Sequence, residues 1–360
     1  MMRYPRLLFY AVNGLGLGHA TRLLAIARQV RALSPDAEIV FLTSSEAESV
    51  LYREGFAAFK VPSRGLRGPA RLRSSTYARM LQTVAINLLA SFHPHVLVVD
   101  TFPAGAIQEL LPVLRWDSRK VFVYRVQRPE AARAPALQDA LRFYDLAVTP
   151  HAEGEVDAPV PDGLERVWAG PILIRERSEA LPRAEAREAL GLPPEGAVVY
   201  VTFGGGGDPE IDRALDATVD ALAPTGVHLA VACAPLQRRR FARRDGVTPV
   251  EHYPMAEMMA AYDAAVSACG YNSAMELLHH GVPAAFVAFP RQVDDQEQRA
   301  RWIESHGAGA RLASLAPEEV RGAVERLLGP GAASMRACAS ALVPEGGAAV
   351  AAEAILRLIA

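Results

Sequence analysis

The sequence is short of lysine, of paired cysteines and of any long apolar run, and each shortage removes a class of protein. Only Lys60 and Lys120 are lysines, so arginine supplies almost all the positive charge, and 38 basic against 40 acidic residues leave a formal net charge of −2. A chain so balanced has no global basic field to hold nucleic acid, and no nucleic-acid partner is expected. The three cysteines, Cys233, Cys269 and Cys338, stand far apart with no CxxC pair. That argues against a disulfide framework or a zinc ribbon and for a reducing compartment. No uninterrupted apolar run approaches the roughly 18 residues of a membrane span. The N-terminal arginines and the apolar stretch 7–12 superficially suggest a secretion signal. The stretch is too short, runs into glycines and lacks a small-residue cleavage site, so a cytoplasmic protein is expected.

What is present is an ordinary soluble balance, 51% hydrophobic and 22% charged, over 360 residues. That length exceeds a single core and predicts two domains. Short β-type runs alternate with helical patterns throughout, the signature of an α/β fold with parallel sheets wrapped by helices. Strands are expected at 7–12, 39–43, 96–99, 121–126 and 146–149, then at 198–203, 227–233, 264–268 and 284–289. A helix is expected over 21–33, where Leu23, Leu24, Ala27 and Val30 recur at helical spacing. Both halves open alike, an apolar strand running into a glycine cluster and then a helix: Gly14, Gly16 and Gly18 in the first, Gly204 to Gly207 in the second. A Pro/Gly-rich, charged stretch at 155–196 separates them, with the linker placed near 170–178. Two doubly wound sheets would face each other across a cleft at their carboxyl edges, where ligands of open α/β sheets bind. Residues 1–172 hold 20 basic and 16 acidic side chains and the remainder 18 and 24. The first half is therefore slightly the better suited to an anionic ligand.

The first glycine cluster invites a dinucleotide reading, but its spacing is GxGxG and the second strand ends Thr-Ser-Ser with no acid for an adenine ribose. An NAD-type oxidoreductase is therefore disfavoured. His19 follows where the loop enters a helix, and Asp100 closes the run Val96–Asp100. Both belong to the carboxyl edge of the first sheet, and a carboxylate beside an imidazole sets its tautomer and supports the imidazolium. The alternatives are a structural histidine and an Asp that caps a turn. In the second half, Cys269-Gly-Tyr-Asn-Ser273 leads from a strand to a helix opened by Asn272 and Ser273, whose free N–H groups suit a diphosphate. Glu276 follows one turn on, placed for vicinal ribose hydroxyls or, alternatively, for a capping box. Asp294, Asp295 and Gln296 follow the next strand, and one of the two aspartates is expected to be a helix N-cap. The arginines at 64, 67, 71, 73 and 79, and those of the run 237–244, read as a phosphate-holding or membrane-facing surface or as plain solvated ones.

Taken together, Gly14–Arg22 (GLGLGHATR), Gly170-Pro-Ile172, FGGGG at 203–207 and CGYNSxxE…GVP…DQ from Cys269 to Gln296 resemble the GT-B nucleotide-sugar-dependent glycosyltransferases of the MurG/UDP-glycosyltransferase superfamily. Ala268 and Tyr271 stand where plant-type members have histidine and tryptophan. The resemblance implies two Rossmann-like domains: 1–172 for the acceptor, 173–345 for the donor, and 346–360 as a helix packing back on the first. It implies an inverting, metal-independent hexosyltransferase without a cofactor, using a UDP-linked sugar. His19 would be general base and Asp100 its orienting acid. Gly204, Gly205, Gly206, Tyr253, Gly270, Asn272, Ser273, Glu276, Asp295 and Gln296 would bind the donor, and Gly16, Gly18 and Arg22 the acceptor or a phosphate. The acceptor would be a small molecule, a glycan or a lipid-linked molecule, with peripheral membrane contact. The His19–Arg22 element also resembles a nucleotide-sugar hydrolase, so hydrolysis, epimerisation and non-catalytic binding on the same fold are the alternatives.

Overall fold

A strand that is apolar at every position, rather than at every second one, needs cover on both faces. From Leu7 onward β1 (Arg6–Ala11) is such a strand, with Leu7, Leu8 and Phe9 wholly buried. Leu8 and Tyr10 join a cluster with Leu97, Val99 and Phe122 and with the helix residues Tyr77, Leu81 and Ala85. Strand alternation sends Leu7 and Phe9 to the other face, where the Phe9 ring stacks on Phe41 at 5.2 Å.

The computed structural model describes residues 4–12, 17–125, 129–205, 209–233, 237, 241–290 and 294–360. In chain order the elements begin with β1, α1 (Gly18–Leu33), β2 (Glu38–Thr43), α2 (Ser49–Arg53), β3 (Ala57–Lys60), α3 (Ser74–Phe92), β4 (Val96–Asp100), β5 (Arg119–Val123), α4 (Pro129–Ala132), α5 (Pro135–Leu141), β6 (Leu146–Thr149) and β7 (Glu165–Trp168). They continue with α6 (Arg183–Leu190), β8 (Val198–Thr202), α7 (Pro209–Leu222), β9 (His228–Ala232), β10 (Val247–Val250), β11 (Ala264–Ala268), α8 (Tyr271–His279), β12 (Ala284–Val287), α9 (Gln296–Ser305), β13 (Ala310–Leu312), α10 (Pro317–Leu328), α11 (Ala332–Leu342) and α12 (Ala348–Arg357). Two units result: Met1–Ile174 with Gly347–Ala360, and Arg175–Gly346.

Each unit is one parallel sheet. The first has the order β3-β2-β1-β4-β5-β6-β7, the second β10-β9-β8-β11-β12-β13. In both, the unit's first strand sits where the order reverses: β1 between β2 and β4, β8 between β9 and β11. Loops leaving the carboxyl ends of the two strands at such a point run to opposite faces and leave a crevice between them. The candidate residues sit at these points, His19 and Asp100 after β1 and at the end of β4, Gly204 and Gly270 after β8 and β11.

Four strands lie outside the sequence expectation, β3, β7, β10 and β13, and all four are outermost in their sheets. α1 starts at Gly18 rather than 21, and β12 stops at Val287 rather than 289. β5 ends at Val123, and position 126 of its expected span lies outside the described residues. Among the described residues no helix is long and apolar enough to cross a membrane.

In the second unit a cluster runs from Val199, Val201 and Phe203 to Val320, Val324 and Leu327 of α10. In the first unit, α12 returns to lie against α1. Its N-cap, Gly347, donates its N–H to the Pro171 carbonyl at 2.6 Å. A Cβ there would overlap the Ala169 and Gly170 carbonyl oxygens. Gly347→Ala should therefore cost about 1–3 kcal/mol, the usual penalty of overpacking. Gly331→Ala, with nothing within 4 Å of the added carbon, should cost under about 0.5 kcal/mol. Equal unfolding midpoints for the two variants would show that this crossing has slack.

Candidate active site

In the first unit the sequence Gly-His-Ala-Thr-Arg starts α1 and puts His19 and Arg22 three residues apart, on one helical face. That face meets the end of β4. Asp100 is 1% exposed and Arg22 2% exposed. Arg22 Nη1 donates to both carboxylate oxygens, at 2.9 Å and 2.8 Å. His19 Nδ1 lies 3.2 Å from Asp100 Oδ2 and 3.2 Å from Thr101 Oγ1. The Thr101 hydroxyl donates to Asp100 Oδ1 at 2.7 Å. Burial by itself would raise the Asp100 pKa, but the Arg22 guanidinium, then His19 and the Thr101 hydroxyl, outweigh it and hold the carboxyl below its ordinary value. The His19 side chain is 15% exposed. Its ring tilts against Phe102, with centroids 5.9 Å apart.

The first unit thus brings His19, Asp100 and Arg22 together. Gly18 is the first residue of α1, while Gly14 and Gly16 lie outside the described residues. Arg22 is not the open acceptor or phosphate contact expected of it. Its guanidinium is buried under the acid, and its observed role is to neutralise and fix Asp100. Thr101, which sequence reasoning passed over, contacts both members of the His–Asp pair.

In the second unit β8 leads to Gly204, whose φ is +96°, and to Gly205, both half-buried. Gly206 and Gly207 lie outside the described residues. β11 ends in Cys269 and Gly270, and Gly270 is the N-cap of α8, with no side-chain cap bond. Glycine at this position has no side chain with which to cap the first turn. Asn272 and Ser273 sit in that turn, half-buried. Glu276 follows on the Asn272 side, also half-buried, and its carboxyl makes no hydrogen bond or ion pair to any described residue. Burial alone pushes its carboxyl up to about 7. Tyr253 is half-buried after β10. Its neighbour His252 has Nε2 2.8 Å from Glu257 Oε2, and Arg175 Nε donates to Glu257 Oε1 at 2.7 Å.

Asp295 is exposed and is the N-cap of α9, where its Oδ1 accepts from Gln298 N at 2.9 Å. Gln296 is 7% exposed, and its Oε1 accepts from Phe289 N at 3.0 Å. Both residues expected at the donor sugar therefore carry structural bonds as well. Arg299 was not foreseen either. It donates from Nη1 to the Cys269 carbonyl at 2.6 Å and from Nη2 to Asp294 at 2.7 Å, and its guanidinium stands 5.3 Å from the centre of the Tyr271 ring. It pins the backbone immediately before Gly270. The only sequence signal was an arginine within reach of a preceding aspartate. Of the arginine surfaces, Arg64, Arg71, Arg73 and Arg79 are exposed and Arg67 half-buried, whereas 238–240 lie outside the described residues.

The chain is similar to known proteins along most of its length. A profile of the glycosyltransferase family 28 C-terminal domain matches residues 232–345. A Nocardioides sp. protein named UDP-N-acetylglucosamine--N-acetylmuramyl-(pentapeptide) pyrophosphoryl-undecaprenol N-acetylglucosamine transferase is 29% identical over 360 residues, with 91% of each chain covered. A Rhodococcus opacus protein of the same name is 30% identical over 313 residues, covering 81% of this chain and 79% of that one. Among solved structures, MurG of Acinetobacter baumannii is similar in fold, with a TM-score of 0.60 at 15% identity over 98% of this chain and 99% of that one.

The Glu276 carboxyl gives a direct test of the geometry in the second unit. Its folded pKa, about 7, is raised above the ordinary 4.5. The stabilisation from the protonated form is therefore complete below about pH 4.5 and lost as pH rises through about 7. Glu276→Gln should match the wild type in thermal midpoint at pH 4.5 and exceed it at pH 8. Equal midpoints at both pH values would mean the carboxyl is solvated.

Proposed function

The chain belongs to glycosyltransferase family 28, and from that membership we propose that it is an inverting transferase moving N-acetylglucosamine from its UDP donor to a hydroxyl of a lipid-linked pyrophosphoryl sugar. The donor and acceptor follow the name shared by the relatives, of which it covers 91% and 79%. The first unit is suited to an anionic acceptor: residues 55–99 contain no acid, but do contain Lys60, Arg64, Arg67, Arg71, Arg73 and Arg79. Peripheral contact with an anionic lipid surface would use the same charges.

The observation that carries the chemistry is the imidazole of His19. Its Nδ1 is engaged by Asp100 and Thr101, and Nε2 makes no hydrogen bond among the described residues. In the proposed reaction Nε2 takes the proton of the acceptor hydroxyl as its oxygen attacks the sugar C1 from the face opposite the diphosphate. The bond from C1 to the diphosphate oxygen breaks, and its electron pair leaves with UDP. Asp100 supports the imidazolium. The leaving charge is met at the start of α8, by its helix dipole, and by the Gly204–Gly205 turn, groups held in place before the reaction begins. Arg299 holds the start of α8 through the Cys269 carbonyl. Glu276 takes the ribose hydroxyls, Tyr253 faces the base, and Asp295 with the Gln296 amide reaches the sugar. No metal or cofactor is assigned a step.

His19→Ala should lower turnover by roughly 10²–10⁴-fold, the range for a lost general base, while leaving the dissociation constant of UDP within about twofold. Glu276→Ala should do the reverse, weakening UDP in calorimetry with a smaller effect on turnover at saturation. Donor consumption must depend on the acceptor. UDP release at full rate without one would replace transfer by hydrolysis, and no turnover with any UDP-sugar would leave only a binding protein.

A further inference from the structure

The residue after the buried acid has an unusual backbone. Thr101 has a φ of +67°, a left-handed conformation that is an outlier for a β-branched side chain. Phe102 N donates to the Asp100 carbonyl at 2.8 Å. This two-residue return with positive φ at its centre is the strained form of the γ-turn. It is also firmly held, since Thr101 N donates to the Val123 carbonyl at 3.1 Å, extending the β4–β5 ladder by one bond. Strain of this kind persists only where the surroundings over-determine it, and it gathers at functional sites.

What the turn achieves is visible in the side chains. Along a strand, consecutive residues point to opposite faces. Asp100 and Thr101 are consecutive, yet both reach the His19 ring nitrogen Nδ1, at 3.2 Å each. Leaving β geometry at 101 is what allows this. The hydroxyl has a single proton, and it goes to Asp100 Oδ1 at 2.7 Å. Oγ1 can then only accept from the imidazole, so the proton of a neutral ring must sit on Nδ1 and the lone pair on Nε2. Asp100, an acceptor-only carboxylate, asks for the same tautomer, but its oxygens also serve Arg22 Nη1 and the Thr101 hydroxyl, so Thr101 supplies the acceptor at Nδ1 that Arg22 does not share.

We infer that Thr101 is a positioning residue, held in a strained turn so that its hydroxyl, passing its proton to Asp100, fixes His19 in the tautomer whose Nε2 is free to act as base. The inference rests on the general-base reading of His19, and the experiment separates the two.

Thr101→Gly is the informative variant, because glycine suits the backbone and removes the hydroxyl along with the rest of the side chain. The expected result is an unchanged or raised thermal midpoint together with a fall in kcat of about tenfold, the equivalent of about 1.4 kcal/mol in the barrier, and a donor KM within twofold. Thr101→Ser, which keeps the hydroxyl, should recover most of the wild-type kcat. A merely structural Thr101 would instead lose stability and activity together, without rescue by serine. The ¹⁵N spectrum of labelled histidine, with the His19 signal assigned by its absence in His19→Ala, reads the tautomer without any turnover. Wild type and Thr101→Ser should show the Nδ1–H form, and Thr101→Gly a mixture of tautomers. An Nε2–H signal in the wild type, a tautomer unaltered in Thr101→Gly, or full kcat in that variant each overturns the inference. Full activity of His19→Ala, with the spectra as expected, would instead remove the general-base reading and leave the tautomer assignment standing.

Discussion

The buried ion pair between Arg22 and Asp100 is the constraint on which the chemistry of the first unit depends. Two opposite charges with almost no exposed surface have both lost their hydration, and they repay that cost only if their geometry is held. A single guanidinium nitrogen within 2.9 Å of both carboxylate oxygens meets that demand. It also locks α1 against the end of β4 at the point where the strand order reverses. His19 is three residues before Arg22 on the same helical face, so the position of the imidazole follows from a contact it does not itself make. Losing either charged partner would strand the other in the interior, which ordinarily costs about 3–5 kcal/mol.

The second unit meets a different demand with parts that look incomplete in isolation. The start of α8 lacks a side-chain cap, and Glu276 is a half-buried carboxyl that ion pairs with nothing described. Such groups are costly in a finished core. In the proposed reaction this start of α8 faces the diphosphate and the carboxyl faces the ribose hydroxyls. Arg299 and the Asp295 cap hold the surrounding backbone. The same topology serves both units: in each sheet the first strand and the strand across the reversal deliver the candidate residues from their carboxyl ends.

The interior of the fold was legible because its central strands are covered on both faces and read as continuous apolar runs. β3, β7, β10 and β13 were not, and the reason is physical. An edge strand is paired on one side only, is short, and leaves residues such as Ala57, Phe59, Glu165 and Arg166 in or near solvent, so no apolar run marks it. His19, Asp100 and Glu276 were legible as residue types at strand and helix ends. Burial was not, and for that reason Arg22 was expected at an anion rather than beneath the acid. Asp295 shows the same ambiguity, since an N-cap and a sugar ligand want the same carboxylate. Nothing in Asp-Thr-Phe-Pro announces a left-handed threonine, because the backbone conformation there is imposed by contacts with α1 and β5 that a linear reading does not contain. Gly16 and Gly206, expected at phosphate or acceptor, fall outside the described residues.

The account comes down to one displacement at one carbon, driven by one base. The anomeric configuration of the first-formed glycoside, read by proton NMR from the coupling of its anomeric hydrogen, tests that most directly. A single attack assisted by His19 predicts a product of configuration opposite to the donor sugar. Retention would require a second displacement or a same-face attack, and would contradict the assignment of His19 as the base that starts the reaction.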